Sequence, residues 1–261
     1  MNVNTLKSVY FIGAGGIGMS ALVRYFLSKG KNVGGYDRTP SELTEKLIEE
    51  GAAIHYEDSS DQIPASFRDA SSTLVIYTPA IPETHKEFTY FRENGFEIQK
   101  RSQVLGMLTR AGKGLCVAGT HGKTTTTSMI SEILLAAQTD PTISVGGILS
   151  SIHGNLRVGD SEYFISEACE YTNSFLNFRP RYSIILNIEA EHLDFFKDLG
   201  DIQHSFRSFA ELVPQETGHV VANYDNASAR TALNGRDRPL FWFSLHDPKA
   251  DCHAEHINWA D

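Results

Sequence analysis

The sequence predicts an α/β fold in which two parallel-sheet domains follow one another along the chain. Three observations predict it. Short apolar runs alternate with helix-like stretches, this alternation restarts after a break near residues 100–113, and each half contains a glycine-rich loop between a strand and a helix. A chain of 261 residues has room for two domains at ~100–200 residues each. We therefore place the first domain at residues 1–105 and the second at residues 106–261.

In the first domain, apolar runs predict five strands of a doubly wound sheet, at Val9–Ile12, Asn32–Tyr36, Ala53–Tyr56, Thr73–Tyr77 and Phe96–Gln99. Helical stretches lie between them, at Gly16–Lys29, Ser41–Glu50 and His85–Asn94. Ser41 is a candidate cap for the second helix, because its hydroxyl can accept a hydrogen bond from a first-turn N–H group. Glu42 and Glu45 add negative charge near the positive end of that helix dipole.

In the second domain, a short connecting helix at Gln103–Arg110 is followed by a strand at Leu115–Ala118 and a helix at Lys123–Ala137. Further strands are predicted at Tyr163–Ser166, Tyr182–Asn187, His219–Ala222, Leu240–Phe243 and Cys252–Trp259. Because the last of these lies next to the final residue, we expect the second domain to be incomplete.

Charge and apolar patterning exclude several function classes. Lys and Arg number 23 and Asp and Glu 32, a net charge of −9, and there is no basic block. Nucleic acids and anionic membranes are therefore not expected as partners, because both are bound through clustered positive charge. No apolar run approaches the ~18–20 residues of a membrane span. The absence of an apolar secretory signal and the odd number of cysteines predict a cytoplasmic protein without disulfides.

The first motif is the GxGxxG sequence Gly13–Gly18, which follows the first predicted strand and precedes the first helix. Glycines at these positions allow a tight turn and close approach of the backbone to a diphosphate, which the helix N-terminus also attracts. Asp37 lies at the end of the second strand, which is part of the context expected for this motif. The motif predicts a Rossmann-like nucleotide or sugar-nucleotide site, although the pattern also occurs in purely structural turns.

The second motif is Gly119-Thr120-His121-Gly122-Lys123-Thr124-Thr125, again between a strand and a helix. Its ending is typical of a P-loop, in which backbone amides and Lys123 bind phosphates and the Thr124 hydroxyl binds Mg²⁺. The loop is shorter than the usual GxxxxGK[ST] pattern, because Val117 stands where that pattern has its first glycine. We interpret the second domain as a P-loop-type α/β domain that binds ATP.

Two acidic clusters follow later strands of the second domain. Glu167 and Glu170 come after the strand at Tyr163–Ser166, and a carboxylate in that position can hold Mg²⁺ beside a P-loop. Solvated loop glutamates are the alternative. The segment Asn187-Ile188-Glu189-Ala190-Glu191-His192-Leu193-Asp194 follows the next strand, and we expect His192 there to bind metal or a substrate anion.

Two other groups of residues are weaker candidates for a functional site. Cys252, His253 and His256 offer metal-ligating atoms, but their spacing matches no standard zinc site and their alternation is typical of a strand. Asp225 follows the predicted strand at His219–Ala222 and is interpreted as a turn residue or a helix cap.

Taken together, these motifs resemble the Mur ligase family. The similarity extends over essentially the whole chain, and its matching segments are GAGGIGMSA from Gly13, AGTHGKTTT from Ala118, Gly146-Gly147, EACE from Glu167 and NIEAEHLD from Asn187. The pair formed by GTHGKTT and NIEAEH is the most specific part, and the alanine-adding branch of the family is the most similar.

This resemblance implies that the first domain binds UDP-N-acetylmuramate and the second binds ATP with Mg²⁺. ATP would phosphorylate the lactyl carboxylate, and the amine of L-alanine would attack the acyl phosphate. Lys123 would hold the γ-phosphate, and Thr124, Glu170 and His192 would bind Mg²⁺. ATP would contact the whole loop, which is Gly119, Thr120, His121, Gly122, Lys123, Thr124 and Thr125. The UDP-sugar would contact Gly13, Gly15, Gly16, Ile17, Gly18, Asp37, Thr78, Ala80 and Arg101.

The resemblance also implies a third, amino-acid-binding domain, which these 261 residues do not include. We therefore expect this portion to be inactive by itself. Three alternatives stay open at this point: a tripeptide-recycling ligase that acts on the same UDP-sugar, a non-catalytic UDP-sugar-binding module, and a nicotinamide-dependent dehydrogenase. The sequence leaves the oligomeric state undetermined.

Overall fold

The structure, a computed structural model, describes residues 6–236 and 239–257. Its contacts divide the chain into two units. Unit 1 contains residues up to 104 together with residues 146–158, and unit 2 contains residues 105–145 and those from 159 onward. The sequence analysis assigned residues 146–158 to the second domain, so a single boundary at residue 105 does not describe this segment.

Unit 1 is built on a five-stranded parallel sheet in the order β3-β2-β1-β4-β5. Its strands are β1 Ser8–Ile12, β2 Asn32–Tyr36, β3 Ala53–His55, β4 Thr73–Tyr77 and β5 Glu97–Lys100. The helices are α1 Ile17–Ser28, α2 Glu42–Glu49 and α3 Lys86–Glu93. This is the predicted Rossmann-like arrangement. Every residue of β1 is buried, as expected for a strand at the centre of a sheet covered on both faces.

Local sequence explains where α2 begins. Ser41 is the N-cap, and its side chain accepts a hydrogen bond from Thr44 N–H at 3.2 Å. The Thr44 hydroxyl in return accepts from Ser41 N–H at 2.8 Å, which completes a capping box. Glu42 and Glu45 lie in the first turn. The predicted cap and its acidic neighbours are confirmed.

A buried polar cluster lies within the aromatic core of unit 1. The Tyr10 hydroxyl donates to Glu87 Oε2 at 2.9 Å and lies 2.7 Å from His55 Nε2. Glu87 is fully buried, and burial raises the pKa of its carboxyl to about 8. Burial likewise lowers the pKa of His55. Both effects favour the neutral forms of these side chains in the folded state.

Unit 2 contains a larger parallel sheet, in which seven strands follow the order β13-β12-β11-β10-β6-β9-β7. Their bounds are β6 Lys113–Ala118, β7 Thr142–Leu149, β9 Tyr163–Glu167, β10 Tyr182–Ile185, β11 His219–Asn223, β12 Leu240–Ser244 and β13 Cys252–His253. The helices are α5 Lys123–Ala136, α6 Leu199–Glu211 and α7 Ala227–Leu233, whereas α4 Arg101–Ala111, like strand β7, begins in one unit and ends in the other. Strand β6 lies between β9 and β10, so the segments that follow these three strands meet at one edge.

The structure adds elements that the sequence analysis did not predict. These are α6, α7, the strand β7, and β8 at Gly154–Arg157, which belongs with residues 146–158 of unit 1. The strand predicted at Cys252–Trp259 is wrong in its extent. Only Cys252 and His253 form β13, because the backbone of His256 has a φ of 53°, which is incompatible with a strand. Residues 258 and 259 of that predicted strand lie outside the described residues.

The structure also bears on the expectations for Asp225, for the cysteines and for membrane spans. Asp225 lies in a turn, where its carboxylate accepts hydrogen bonds from the Ser244 hydroxyl at 2.5 Å and Leu245 N–H at 2.7 Å. The cap of α7 is the next residue, Asn226. Cys116, Cys169 and Cys252 form no disulfide bond in the part of the chain that the structure describes. Within the described residues, no helix is both long and apolar enough to span a membrane.

We expect Glu87→Gln to stabilise the protein in a pH-dependent way. The Glu87 carboxyl has a pKa of about 8 in the folded protein and about 4.5 in the unfolded chain, so the folded state binds the proton more tightly. The free energy of unfolding of the wild type therefore falls as the pH rises between these two values. The glutamine has no proton to lose. In urea unfolding, the difference between the free energies of unfolding of the variant and the wild type should therefore shift in favour of the variant as the pH rises from 5 to 9. Glu93→Gln, exposed on the same helix, is the control. Parallel wild-type and Glu87→Gln pH profiles would contradict this account of Glu87.

Candidate functional site

The glycine-rich loop of unit 1 lies at the carboxyl end of β1. The neighbours of β1 in the sheet are β2 and β4, from opposite halves of the strand order, so the loop lies at a topological switch point. Gly13 has a φ of 91° and its N–H donates to Tyr36 O at 2.8 Å. A Cβ at Gly13 would lie 2.7 Å from Thr78 Cγ2, at the end of β4. The structure thus brings the predicted residues Gly13 and Thr78 together.

Asp37 is part of the loop's own hydrogen bonding. Its Oδ2 accepts from Gly15 N–H at 2.6 Å, and its Oδ1 accepts from Thr39 N–H at 3.3 Å. The carboxylate therefore positions the glycine loop relative to the end of β2. This contact with Gly15 is a role that the sequence analysis, which assigned Asp37 to a ligand, did not anticipate.

The remaining predicted residues of this loop surround the start of α1. Gly16 is its N-cap, and Ile17, its first residue, is exposed. A Cβ at Gly18 would lie 2.6 Å from Nη1 of Arg101, so this guanidinium covers the first turn of α1. Ala80 is exposed in the loop after β4. Free N–H groups at a helix start and an adjacent guanidinium are groups that bind phosphate.

The second loop joins β6 to α5 in unit 2. Gly122 is the N-cap of α5, with a left-handed φ of 83° that a residue with a side chain rarely adopts. Lys123, Thr124 and Thr125 form the first turn, and both threonines are exposed. The strand, loop and helix have the predicted P-loop arrangement. The first-turn N–H groups of α5 have no acceptor within the helix and are available to an anion.

Lys123 connects the loop to the segment after β9. Its Nζ donates to Gly119 O at 2.5 Å and to Thr120 O at 3.2 Å, and it lies 3.1 Å from Glu170 Oε2. The side chain of Glu170 is only 3% exposed. The structure therefore brings the loop and the EACE segment together, and Glu170 is a buried ion-pair partner of Lys123. Glu167 is the last residue of β9.

Three side chains near Lys123 have the chemistry of a metal site. Glu170, Glu191 and His192 each offer one ligand atom, and these atoms all lie within 4.8 Å of one another. His192 Nε2 lies 3.9 Å from Glu170 Oε1 and 4.0 Å from Glu191 Oε2. Two carboxylates and an imidazole fit a divalent cation such as Mg²⁺ or Mn²⁺. The sequence analysis placed Glu191 in this acidic cluster but did not assign it to the metal.

Tyr171 and Asp194 flank His192. The ring centroids of Tyr171 and His192 are 4.6 Å apart, and the Tyr171 hydroxyl donates to Asp194 Oδ2 at 2.7 Å. This hydrogen bond raises the pKa of the Tyr171 phenol. His192 itself has a left-handed φ of 55°. The aromatic contact therefore limits the orientations of the imidazole, a constraint that the sequence analysis missed.

Asn187 also holds the P-loop in place. Its side-chain Oδ1 accepts from His121 N–H at 2.8 Å, and its Nδ2 donates to His121 O at 3.1 Å. Glu189 N–H donates to the Thr120 hydroxyl at 2.9 Å. The exposed His121 and Glu189 side chains form an ion pair at 3.6 Å when the histidine is protonated. An asparagine at the end of a predicted strand was the available signal, but its partner could not be predicted from spacing.

Another unpredicted contact involves residues 146–158 in unit 1. Asn155 is only 3% exposed, and its Nδ2 donates to Ile17 O in the first turn of α1 at 2.6 Å. Beside it, a cavity of about 390 Å³ lies between α1, α2 and this segment, and is lined in part by Arg24, Leu43 and Ile152. The segment therefore supports the helix that begins at the glycine-rich loop.

The folds and loops define a class: an α/β protein with a P-loop-type unit and a second, Rossmann-like unit. Comparison with known families is more specific. Residues 8–113 match the model described as "Mur ligase family, catalytic domain", and residues 117–260 match the Mur ligase middle domain. The chain belongs to the Mur ligase family, which confirms the resemblance found in the sequence.

Two similar proteins carry the name of one branch of this family. The chain is 56% identical over 258 residues to a UDP-N-acetylmuramate–L-alanine ligase of Phocaeicola vulgatus, covering 98% of this chain and 55% of that protein. It is 52% identical over 254 residues to one of Agathobacter rectalis, covering 97% and 54%. The chain thus spans about half the length of the curated relatives it matches.

Solved structures show the same fold. A UDP-N-acetylmuramate-alanine ligase from Thermotoga maritima aligns with a TM-score of 0.77 and 28% identity, over 92% of this chain and 53% of that chain. A UDP-N-acetylmuramate:L-alanyl-gamma-D-glutamyl-meso-diaminopimelate ligase from Neisseria meningitides aligns with a TM-score of 0.82 and 27% identity, over 91% and 78%. The predicted fold class is confirmed.

We expect Lys123→Met to destabilise unit 2, because it leaves the buried carboxylate of Glu170 without its cation. Breaking one side of a buried ion pair costs about 3 kcal/mol. Adding Glu170→Gln removes the carboxylate that Lys123→Met leaves unpaired, so the double variant should recover part of the lost free energy of unfolding. Urea unfolding of the wild type, both single variants and the double variant measures the coupling. Additive effects in this cycle would show that the pair contributes nothing.

Proposed function

We propose that this chain carries the UDP-sugar and ATP sites of a ligase that joins L-alanine to the lactyl carboxylate of UDP-N-acetylmuramate. The observation that carries the proposal is the placement of Lys123 beside buried Glu170, at the ends of the adjacent strands β6 and β9. A lysine and a carboxylate at a helix N-terminus are the components of a phosphoryl-transfer site. The names of the alanine-adding relatives, at 52–56% identity, support the substrates.

In this proposal, residues 1–105 bind the UDP-sugar. The N–H groups at the start of α1 and the guanidinium of Arg101 bind the diphosphate. Asp37 keeps the loop in position through Gly15, as its 2.6 Å hydrogen bond supports. Thr78, Ala80 and Ile17 complete the contacts to the nucleotide or the sugar.

In residues 106–261, the proposed ligand is ATP. The loop from Gly119 to Thr125 holds its phosphates, and Lys123 leaves Glu170 to bind the γ-phosphate. Thr124, Glu170 and His192, with Glu191, would hold Mg²⁺, which when bound neutralises charge on the transferring phosphoryl group. His192 and the two carboxylates supply a donor set that fits this ion.

The reaction then follows from the chemistry of the carboxylate, which is a poor electrophile. An oxygen of the lactyl carboxylate attacks the γ-phosphorus, ADP leaves, and an acyl phosphate forms. The neutral amine of L-alanine attacks the acyl carbon, the C–O bond to phosphate breaks, and the amine proton is lost to solvent. Lys123 stabilises negative charge on the transferred phosphoryl oxygens.

A second proposed function, a ligase that joins a preformed tripeptide to the same UDP-sugar, is supported by one structural comparison. The Neisseria structure, whose name specifies that peptide, aligns with a TM-score of 0.82. Phosphate release by the whole protein, with UDP-N-acetylmuramate and either L-alanine or the tripeptide, separates the two. Faster turnover with the tripeptide would overturn the alanine assignment.

We expect Lys123→Met in the whole protein to reduce ATP-dependent ligation of L-alanine by at least about a thousandfold, because the γ-phosphate loses the lysine of the loop. Product formation is measured by mass spectrometry. The control is Lys113→Met, at the opposite end of β6, where Lys113 forms a partly exposed pair with Glu162 at 2.6 Å. Near-normal turnover of Lys123→Met would refute the ATP-site assignment.

A further inference from the structure

The contacts of Asn187 continue the pairing between β6 and β10 beyond the ends of both strands. Leu186 N–H donates to Ala118 O at 3.0 Å, and Thr120 N–H donates to Asn187 O at 3.1 Å. The Asn187 side chain then bonds both the N–H and the C=O of His121. A carboxamide offers one acceptor and one donor side by side, so it can pair with a backbone residue as a neighbouring strand would.

These contacts divide the P-loop into two parts. The N–H groups of Thr120 and His121 are directed to Asn187 O and Oδ1. The N–H groups of Lys123, Thr124 and Thr125 belong to the first turn of α5, where helix geometry provides no acceptor. The front of the loop is therefore bonded to protein, whereas its helical end presents donors to a ligand.

We propose that Asn187 is a positioning residue for ATP, and that the phosphates are bound by the first-turn N–H groups of α5 and Lys123, not by the amides of Thr120 and His121. This inference rests on the proposed function, because it assumes that the loop binds ATP. It narrows the expectation from the sequence, in which all seven loop residues contact the nucleotide.

The physical reason is preorganisation. Gly119 and Gly122 both have positive φ values, 148° and 83°, so the residues between them are flanked by two flexible points. Two hydrogen bonds between the Asn187 side chain and the His121 backbone, and one from Glu189 N–H to the Thr120 hydroxyl, hold this segment. Donors fixed before the ligand arrives bind it without the cost of ordering the loop.

The test compares Asn187→Ala with Asn226→Ala in the whole protein. Asn226, at the end of neighbouring β11, makes two similar hydrogen bonds, from Ala229 N–H at 2.8 Å and Ile188 N–H at 3.3 Å. No hydrogen bond described for its side chain reaches the P-loop. It therefore controls for a general loss of stability.

We expect Asn187→Ala to raise the KM for ATP about tenfold and to leave the KM for UDP-N-acetylmuramate within about twofold. Hydrogen exchange resolved to single amides, without nucleotide, should be at least about tenfold faster at His121. Asn226→Ala should lower the unfolding temperature and change neither quantity. An unchanged KM for ATP, or equally fast His121 exchange in wild type and variant, overturns the proposal.

Asn187→Asp provides a second variant if the alanine protein does not fold, because it preserves side-chain volume while it replaces the donor to His121 O with a negatively charged acceptor. It should also raise the KM for ATP. Wild-type protein that binds no ATP in calorimetry, with a protected His121 amide, would refute the proposed function. Wild-type binding of ATP that Asn187→Ala and Asn187→Asp both leave unchanged would refute this inference alone.

Discussion

The ion pair between Lys123 and Glu170 is the contact on which the site in unit 2 depends. It joins the loop after β6 to the segment after β9. The Glu170 side chain is only 3% exposed, so its carboxylate would be buried without a counter-ion if Lys123 were removed. His192, from the segment after β10, lies 3.9 Å from the same carboxylate. Parallel pairing of three adjacent strands brings these groups together, because their carboxyl ends share one edge of the sheet.

The net charge of −9 is compatible with the proposed polyanionic ligands because each proposed phosphate site depends on a few nearby groups. These groups include a helix N-terminus and a cation in each unit, Arg101 beside α1 and Lys123 at α5. Each loop is also held by a polar side chain at the end of a neighbouring strand. In unit 1 this is Asp37, bonded to Gly15 N–H, and in unit 2 it is Asn187, bonded to His121. In both units, therefore, a polar side chain after the adjacent strand of the sheet holds the glycine-rich loop in position.

Most strands could be predicted because buried parallel strands are short continuous apolar runs, as at β1 and β6. The helix α6 was missed although Ile202, Phe206 and Phe209 follow helical spacing and are buried. The strand β7 contains Gly146 and Gly147, which do not favour strands, so packing determined its conformation. Site residues that share a motif were found, whereas Asn155 and Tyr171 act through partners distant in sequence, which single-sequence spacing does not reveal.

The most direct test of the account is a crystal structure of the whole protein with magnesium and a non-hydrolysable ATP analogue. The account predicts that the γ-phosphate lies within hydrogen-bond distance of Lys123 Nζ and the first-turn N–H groups of α5. Lys123 should have left Glu170, and the His121 N–H should remain on Asn187. A nucleotide bound away from the β6–α5 loop, or Lys123 still paired with Glu170 in the complex, would contradict it.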